Sequence, residues 1–334
     1  MLRIRHSPTL LILLLCGMSF AATPQLQQIG MVTIPGPPGF DSLVFAKGML
    51  VMSHPAASSV DVFDPVRRRI VAQITGFASP QGMAVDESNG RLYVADSANH
   101  SITVIATDTW KVSGNIPVSG APDCLVLERD GTRLFWSDPQ NRTLSIADVN
   151  TRQNVSTVPL EGTPRYLAYD PDHGLLFATL QDLDQVIAVD PQLRVAKRFT
   201  LQASQPTGLL YDARFNKLYV AVRKAVLALD ADSGAEVDRV TAAPGVDMLW
   251  LDYESRKLYA AAPNSLLVMR ASDGRLINDG ETNPQIKGHS VAFDPMHKML
   301  LLPGGREGKS QLLLMRPFTA AQPETTRAAR AEIR

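Results

Sequence analysis

Acidic, basic and imidazole side chains recur at two positions of a repeating pattern in this chain. The first position, where each copy begins an apolar run, holds Asp41, Gln81, Asp123, Arg165, Thr207, Asp247 and His289. The second, just past the end of the following run, holds His54, Asp96, Asp138, Leu180, Arg223, Pro263 and Gly304. Charged groups that converge in a concavity shift each other's pKa values, which is typical of binding and catalytic sites. These positions are therefore the candidate ligand-binding site.

His289 is the candidate catalytic residue of this set. It belongs to the last copy of the repeat, and Asp247 and Asp41 belong to the copies on either side if the copies form a ring. We also expect His54 to lie close to Asp41. A histidine between two carboxylates can serve as a general base, and the four side chains could instead hold a divalent metal through N and O ligands. A histidine that only joins neighbouring copies by a salt bridge is a third interpretation, and the sequence leaves all three open.

The elements that must position these residues follow a period of 42 residues. Pro80, Pro122, Pro164 and Pro206 are evenly spaced by that interval, and a short apolar run follows each of them. A fixed period near 40 residues, in which every copy is mostly strand-like, is typical of the blades of a β-propeller. The sequence therefore predicts an all-β fold.

The second copy shows how each blade is built. Three runs with alternating polar and apolar residues, at 91–95, 101–105 and 111–116, follow the apolar segment 83–85. Clusters of Gly, Asn and Asp separate them, which is typical of short antiparallel strands joined by tight turns. Each copy therefore predicts one four-stranded antiparallel blade.

Counting the copies predicts seven blades in one domain that spans residues 22–318. The last copy is short and lacks a strand, and the strand-like segment 26–35 can supply it, which would close the ring and remove two free edges. The predicted blades are 39–80, 81–122, 123–164, 165–206, 207–245, 246–286 and 287–318 plus 25–38, followed by a flexible tail at 319–334. Because every innermost strand of a propeller begins on the same face, the first position should surround one mouth of the central channel.

Two segments, 90–96 (GRLYVAD) and 216–221 (NKLYVA), resemble the repeat hairpin of YVTN-type, YncE-like propeller proteins, as does the strand at 101–105. This resemblance extends over all seven copies. It implies an exported bacterial propeller, and it implies no shared catalytic motif. No Trp-Asp pair closes the third strands of the repeats, which disfavours a WD40 protein.

The N-terminal segment predicts export. Arg3 and Arg5 precede an apolar run at 10–16, and small residues at Ser19 and Ala21 suit cleavage by a signal peptidase. The run is too short to span a membrane. We therefore expect a signal peptide at 1–21 and a periplasmic or secreted protein with no membrane span. Lipidation at Cys16 is disfavoured because Leu15 stands where a small residue is needed.

Charge and cysteine content restrict the function further. Loss of residues 1–21 leaves a slight excess of acidic side chains and no basic cluster, so nucleic acid is not the expected partner. It also leaves Cys124 as the one cysteine, which the alternation of its strand predicts to be a buried core residue and not a nucleophile. We expect a monomer whose partner is a periplasmic protein or a small molecule.

Two classes of function remain. The first is a binding or scaffold protein that holds a small ligand or a partner protein at the charged mouth of the channel, with no cofactor. The alternative is a metal-assisted hydrolase or lyase similar to the lactonase-like propellers. Arg165 disfavours the alternative, because a fixed cation at the axis repels a divalent metal.

Overall fold

A computed structural model describes residues 26–317 of the chain. These residues form seven four-stranded antiparallel sheets, which are the blades of a seven-bladed β-propeller, as predicted. The predicted signal peptide at 1–21, the possible lipidation site at Cys16 and the predicted tail at 319–334 lie outside the described residues. Within residues 26–317, no helix is long enough and apolar enough to cross a membrane.

The strands of blades 1 to 4 run from the channel outward in chain order. Blade 1 contains β2 (Leu43–Ala46), β3 (Met49–His54), β4 (Ser59–Asp64) and β5 (Arg69–Thr75). Blade 2 contains β6 (Pro80–Asp86), β7 (Arg91–Asp96), β8 (Ser101–Ala106) and β9 (Lys111–Pro117). Blade 3 contains β10 (Leu125–Leu127), β11 (Arg133–Asp138), β12 (Thr143–Asp148) and β13 (Gln153–Pro159). Blade 4 contains β14 (Pro164–Asp170), β15 (Leu175–Leu180), β16 (Gln185–Val189) and β17 (Val195–Thr200).

Blades 5 and 6 repeat this order, and blade 7 takes its outermost strand from the start of the chain. Blade 5 contains β18 (Leu209–Asp212), β19 (Lys217–Val222), β20 (Ala225–Asp230) and β21 (Glu236–Thr241). Blade 6 contains β22 (Leu249–Leu251), β23 (Lys257–Ala262), β24 (Ser265–Ser272) and β25 (Arg275–Thr282). Blade 7 contains β26 (Ala292–Asp294), β27 (Met299–Arg306), β28 (Lys309–Pro317) and β1 (Leu26–Thr33).

The ring is closed by β1, as the sequence predicts. It pairs antiparallel with β28 from Leu26 opposite Pro317 to Thr33 opposite Gln311. The next residue, Ile34, donates its backbone N–H to the Ser310 carbonyl at 3.0 Å and is buried in the core between blades 7 and 1. The first and last described strands thus cover each other's edges.

Asp residues at strand ends fix the tight turns that keep the strands in register. The Asp64 carboxylate accepts hydrogen bonds from the backbone N–H groups of Val66 and Arg67 at 2.8 and 2.9 Å. Asp294 does the same for Met296 at 2.9 Å. A carboxylate that caps the backbone two or three residues ahead favours a turn over a continued strand. The Asp-containing clusters between apolar runs are therefore the cause of the hairpins.

The core lies between neighbouring blades. The second strand of each blade is buried on both faces, because one side packs on the preceding blade and the other on the following one. Tyr219 of β19 and Leu258 of β23, for example, belong to one apolar cluster between blades 5 and 6. This explains why these strands are apolar nearly throughout while the outermost strands alternate.

Hydrogen bonds to backbone carbonyls join the blades around the axis. The Oγ of Ser137 donates to the Arg165 carbonyl at 2.8 Å, and the Oγ of Ser290 donates to the Asp41 carbonyl at 2.6 Å. At another junction the N–H of Gly82 donates to the Asp123 carbonyl at 2.8 Å, where a Cβ on residue 82 would lie 2.3 Å from that oxygen. These contacts, the axial carbonyl bonds, fix the backbone of each first-position residue that they reach.

Candidate functional site

Five of the seven first-position side chains form a charged mouth at one end of the channel: Asp41, Asp123, Arg165, Asp247 and His289. They form two close pairs, with the Nδ1 of His289 at 3.1 Å from the Oδ2 of Asp247 and the Nη1 of Arg165 at 3.5 Å from the Oδ2 of Asp123. Asp41 interacts electrostatically with the other four. The structure thus brings Asp41, Asp247 and His289 together, as the order of the copies predicts.

Burial and like charge raise the pKa values of two carboxyl groups in the mouth. The pKa of Asp41 rises to about 7, first because the group is desolvated and then because Asp123 and Asp247 are close. The pKa of Asp123 is also raised by desolvation, and the adjacent Arg165 opposes this shift. Near neutral pH the mouth therefore contains a carboxyl group that exchanges a proton readily.

His289 is held toward its protonated form. The contact with the Asp247 carboxylate raises the pKa of the imidazole, and partial burial opposes it. Although the two atoms are within ion-pair distance, the ring N–H is not aligned for a hydrogen bond, so Nδ1 is left without one among residues 26–317. The negative charge of Asp41 adds a smaller effect in the same direction on the pKa of the ring. The other Asp247 oxygen, Oδ1, is likewise buried with no hydrogen-bond partner in the described chain.

A cleft of about 520 Å³ opens beside the mouth, between blades 6, 7 and 1. His289 lies in its lining, Pro38, Phe40 and Pro303 contribute apolar surface, and the two ionisable residues that accompany His289 are Lys287 and Glu307. Pro263 and glycines at 39, 288, 304, 305 and 308 complete the lining. This volume is in the range of small-molecule sites.

Glycine is required where the cleft lining is most tightly built. A Cβ on residue 304 would lie 2.6 Å from the Lys287 carbonyl oxygen, and a Cβ on residue 305 would lie 3.0 Å from the Cβ of Pro38. The backbones of residues 287 and 305 exchange hydrogen bonds at 2.9 and 2.8 Å. Side chains at these positions would separate this contact and occupy the space beside Pro38.

A second, smaller cavity of about 50 Å³ lies on the axis, lined by Asp41, Asp123, Arg165 and Asp247 together with Cys124 and Tyr166. Cys124 is half-buried and lines this cavity, so the prediction of a core position holds only in part. Burial raises the pKa of its thiol to about 12, which keeps it protonated and unreactive.

The alternation of side chains along a strand did not predict that Tyr166 and Cys124 line this cavity, because the strands are irregular at this end. The register of β14 shifts between Pro164 and Leu167, and β10 begins only at Leu125. Alternation of side chains applies only to regular strands. A residue that follows a first-position residue can therefore also face the axis.

His54 is not in the mouth, so the expected contact with Asp41 and a role as a metal ligand are wrong. Its ring is fully buried, with Nδ1 at 2.7 Å from the Oδ2 of Asp61 and Nε2 at 2.7 Å from the Pro37 carbonyl oxygen. It also stacks on Phe40, with ring centroids 4.0 Å apart. With both nitrogens engaged, His54 instead anchors the segment that carries the Phe40 wall of the cleft.

Asp96 and Asp138 are buried and bind the connections between blades. Asp96 accepts hydrogen bonds from the N–H groups of Ala78 and Ser79 at 3.1 and 2.8 Å, and Asp138 accepts one from Ala121 at 2.9 Å. Carboxylates that accept backbone N–H bonds are already satisfied by the protein. Their oxygens hold the loops between blades. The prediction that these two side chains project into the mouth is therefore wrong.

The remaining predicted residues are dispersed. The amide of Gln81 donates to the Oγ of Ser79 at 2.7 Å, and the Oγ1 of Thr207 donates to the Val246 carbonyl at 3.2 Å. Arg223 is exposed. Leu180 is fully buried in the core, whereas Pro263 and Gly304 line the cleft. The second position therefore contributes to structure more than to the mouth.

The donors required for a metal centre do not converge in the described part of the chain. No group of three or more His, Cys, Asp or Glu side chains within residues 26–317 could hold a metal ion. In the mouth, His289 pairs with Asp247 and Arg165 pairs with Asp123. The enzyme alternative based on a metal has no support in this geometry.

Comparison with known proteins identifies a β-propeller repeat protein. The family model described as the NHL repeat matches residues 77–105, which include β6, β7 and most of β8 of blade 2. The structure is similar to a chain of the Kuenenia stuttgartiensis hydrazine synthase, with a TM-score of 0.71 and 15% identity over 81% of this chain and 94% of that one. It is also similar to a chain of a mitotic checkpoint complex, with a TM-score of 0.74 and 15% identity over 95% and 97% of the two chains. At this identity the likeness concerns the fold alone. No curated protein sequence matches the chain.

Proposed function

We propose that this protein is an exported binding propeller that holds a small ligand in the cleft beside the charged mouth. The observation that carries the proposal is the position of His289. This residue lines a ligand-sized cleft and also belongs to the group of charged residues at the axis. A concave, mostly apolar site with a few polar groups that fix orientation is the usual form of a small-molecule site.

The electrostatics of the cleft favour a ligand with an anionic or hydrogen-bond-accepting group. Asp247 faces Nδ1 of His289 and raises the pKa of the ring, so a protonated ring keeps its Nε2–H for a ligand. Lys287 adds a second positive charge to the cleft, and Glu307 adds one negative charge. The apolar surface of Pro38, Phe40 and Pro303 would take the body of such a ligand.

A small molecule suits this site better than a partner protein. The cleft is a depression lined in part by glycine, so it offers depth and backbone contact, and it offers few protruding side chains. Protein partners usually require a broad surface with aromatic or arginine anchors. The export of the protein and its membership of the YVTN-type subgroup are part of this proposal, and both rest on the sequence patterns at 1–21 and in the repeats.

Thermal-shift titration with a panel of small carboxylic acids and their uncharged amides tests the proposal on the mature protein. At least one carboxylate with an apolar body should raise the melting temperature, because a ligand that binds only the folded state stabilises it by mass action. Its amide should bind more weakly, since an uncharged group interacts less with a protonated imidazole. In the His289→Ala variant the carboxylate should lose about tenfold or more in affinity.

His173→Ala is the matched control. This histidine also pairs with an aspartate, with Nδ1 at 2.7 Å from the Oδ2 of Asp170, but it lies in a hairpin turn and outside the cleft. It should leave affinity unchanged. If His289→Ala binds every member of the panel as the wild type does, the cleft is not the site.

A further inference from the structure

The opposite end of the channel contains another cavity, of about 550 Å³, that the proposed function does not use. It is lined mainly by apolar side chains of the innermost strands and their turns, among them Phe45, Leu210, Trp250, Phe293 and Pro295. We refer to this cavity as the apolar exit. Aromatic side chains from blades 1, 6 and 7 thus surround one concave space.

We infer that the apolar exit is a binding site for an uncharged aromatic molecule. Its walls include Trp250 and Phe45, whose ring centroids are 5.8 Å apart with an angle of 77° between the planes. Both side chains are half-buried and line the cavity, so a third aromatic ring bound there can pack against them in the offset or edge-to-face geometry that ring quadrupoles favour.

The ligand is expected to be uncharged because the carboxylates at the rim already have partners. Asp252 accepts hydrogen bonds from the hydroxyl of Ser255 and from the N–H of Glu254. The Oε2 of Glu254 lies 2.6 Å from the Nζ of Lys298. A charged ligand would bring an unpaired charge against an apolar wall, and desolvation of that charge would oppose binding.

A small molecule is favoured over a protein because little apolar surface extends beyond the cavity. Tyr253, which lines the cavity, and Met296, which follows the lining residue Pro295, are 60% and 80% exposed. Val71 and Val112, by contrast, are exposed singly on the outermost strands of blades 1 and 2. A stable protein interface buries roughly 800 Å² on each partner, which two side chains around a depression do not supply.

The apolar exit is separated from the charged mouth but lies on the same channel. An intermediate apolar cavity shares Phe45 and Trp250 with the exit, and it shares Met83 and Leu125 with the axial cavity of the mouth. A ligand at the exit would therefore contact the axis without reaching His289, which lines neither the exit nor the intermediate cavity. This separation makes the two sites independently testable.

Fluorescence titration with N-phenyl-1-naphthylamine, an uncharged aromatic probe, tests this inference on the mature protein. The wild type should give saturable binding of one probe per chain. Trp250→Ala should weaken binding by about tenfold, and Tyr253→Ala by about threefold, because each removes part of the aromatic wall. The Tyr253 variant changes an exposed side chain, so it keeps the test valid if Trp250→Ala fails to fold.

Trp110→Ala is the matched control, because Trp110 is also half-buried and packs on core residues but lies at the turn between β8 and β9. It should bind the probe as the wild type does, and so should His289→Ala. The inference is overturned if no saturable binding occurs, if both exit variants bind normally, or if His289→Ala abolishes probe binding. The inference is also overturned if this face of the chain is occupied by a second copy in solution, so that the probe cannot bind.

Discussion

The two ends of the channel are built from the same seven innermost segments and differ in nearly every physical property. At the mouth, residues such as Asp41 and His289 precede the regular strands and bring charge to the axis, and some of their polar atoms have no partner within the described chain. At the exit, Phe45 and Trp250 lie within the strands, and the nearby charges are paired. The difference shows that residues just before an innermost strand can be charged, whereas residues within the strand are apolar.

This contrast separates stability from recognition. Side chains of the apolar exit are also part of the packing between blades, as Phe293 is in the cluster between blades 6 and 7. Side chains of the mouth are partly solvated and contact each other. We therefore expect truncation of the buried side chains at the exit to reduce stability strongly, and substitutions at the mouth to act mainly through ionisation and ligand affinity.

Deletion of residues 22–36 should have the largest effect, because it removes the strand that closes the ring carrying both ends of the channel. It removes β1, which covers the edge of β28, and the buried Ile34 between blades 7 and 1. The loss of edge pairing and of buried apolar area should lower the free energy of unfolding by at least about 5 kcal/mol. Chemical denaturation monitored by circular dichroism measures this. A truncated protein that unfolds at the same denaturant concentration as the intact one would show that β1 is dispensable.

Phe293→Ala and His289→Ala compare the two ends within one segment of blade 7. Phe293 is 3% exposed and stacks on Tyr259 with ring centroids 5.5 Å apart, so its truncation should cost about 3–5 kcal/mol of unfolding free energy. His289 is about one-third exposed, and its truncation should cost no more than about 1 kcal/mol. Urea denaturation of both variants provides the measurement. Equal losses would mean that the mouth is as structural as the exit.

Asp41→Asn should stabilise the protein at high pH and not at low pH. The native pKa of Asp41 is about 7, above its ordinary value of 3.8, so the native state binds a proton more tightly than the unfolded chain does. This contribution to stability is complete below pH 3.8 and is lost as the pH rises through 7. Asn resembles the protonated form, so at pH 8 the variant should be more stable by roughly 1–3 kcal/mol. Unfolding measured from pH 4 to pH 8 tests this, and a pH-independent difference would contradict it.

The smallest effect is on the ionisation of His289. Because Asp247 raises the pKa of this imidazole against an opposing effect of burial, an NMR titration should give a value above 6.5 in the wild type. In Asp247→Asn the value should fall below that of the wild type, since desolvation then acts with less opposition. A wild-type value at or below 6.5 would mean that the two side chains do not interact in solution.

The fold could be predicted from the sequence because each blade repeats the same local signals. Turn residues such as Asp64 and Asp294 cap the backbone within three residues, so their effect is visible in a short window. The closing strand was also predictable, since an incomplete last copy requires a partner. The adjacency of Asp41, Asp247 and His289 followed from the order of blades in a ring.

The candidate site was less predictable, because it depends on side-chain direction and on long-range contacts. His54 and Asp61 are only seven residues apart, but their pairing depends on the carbonyl of Pro37 and on the ring of Phe40, which approach from another segment. Tyr166 reaches the axis through a register shift that no alternation rule includes. The apolar exit could not be recognised from sequence, since its residues match the pattern of ordinary core strands.

The axial carbonyl bonds have a consequence for how such a protein could evolve. They hold the main chain of Asp41, Asp123 and Arg165 through partners on neighbouring blades, and each bond involves the carbonyl that every amino acid possesses. The side chains at these positions are consequently not required to keep the ring together. A gene that encodes this scaffold could exchange them one at a time and acquire a new specificity while the architecture is inherited unchanged.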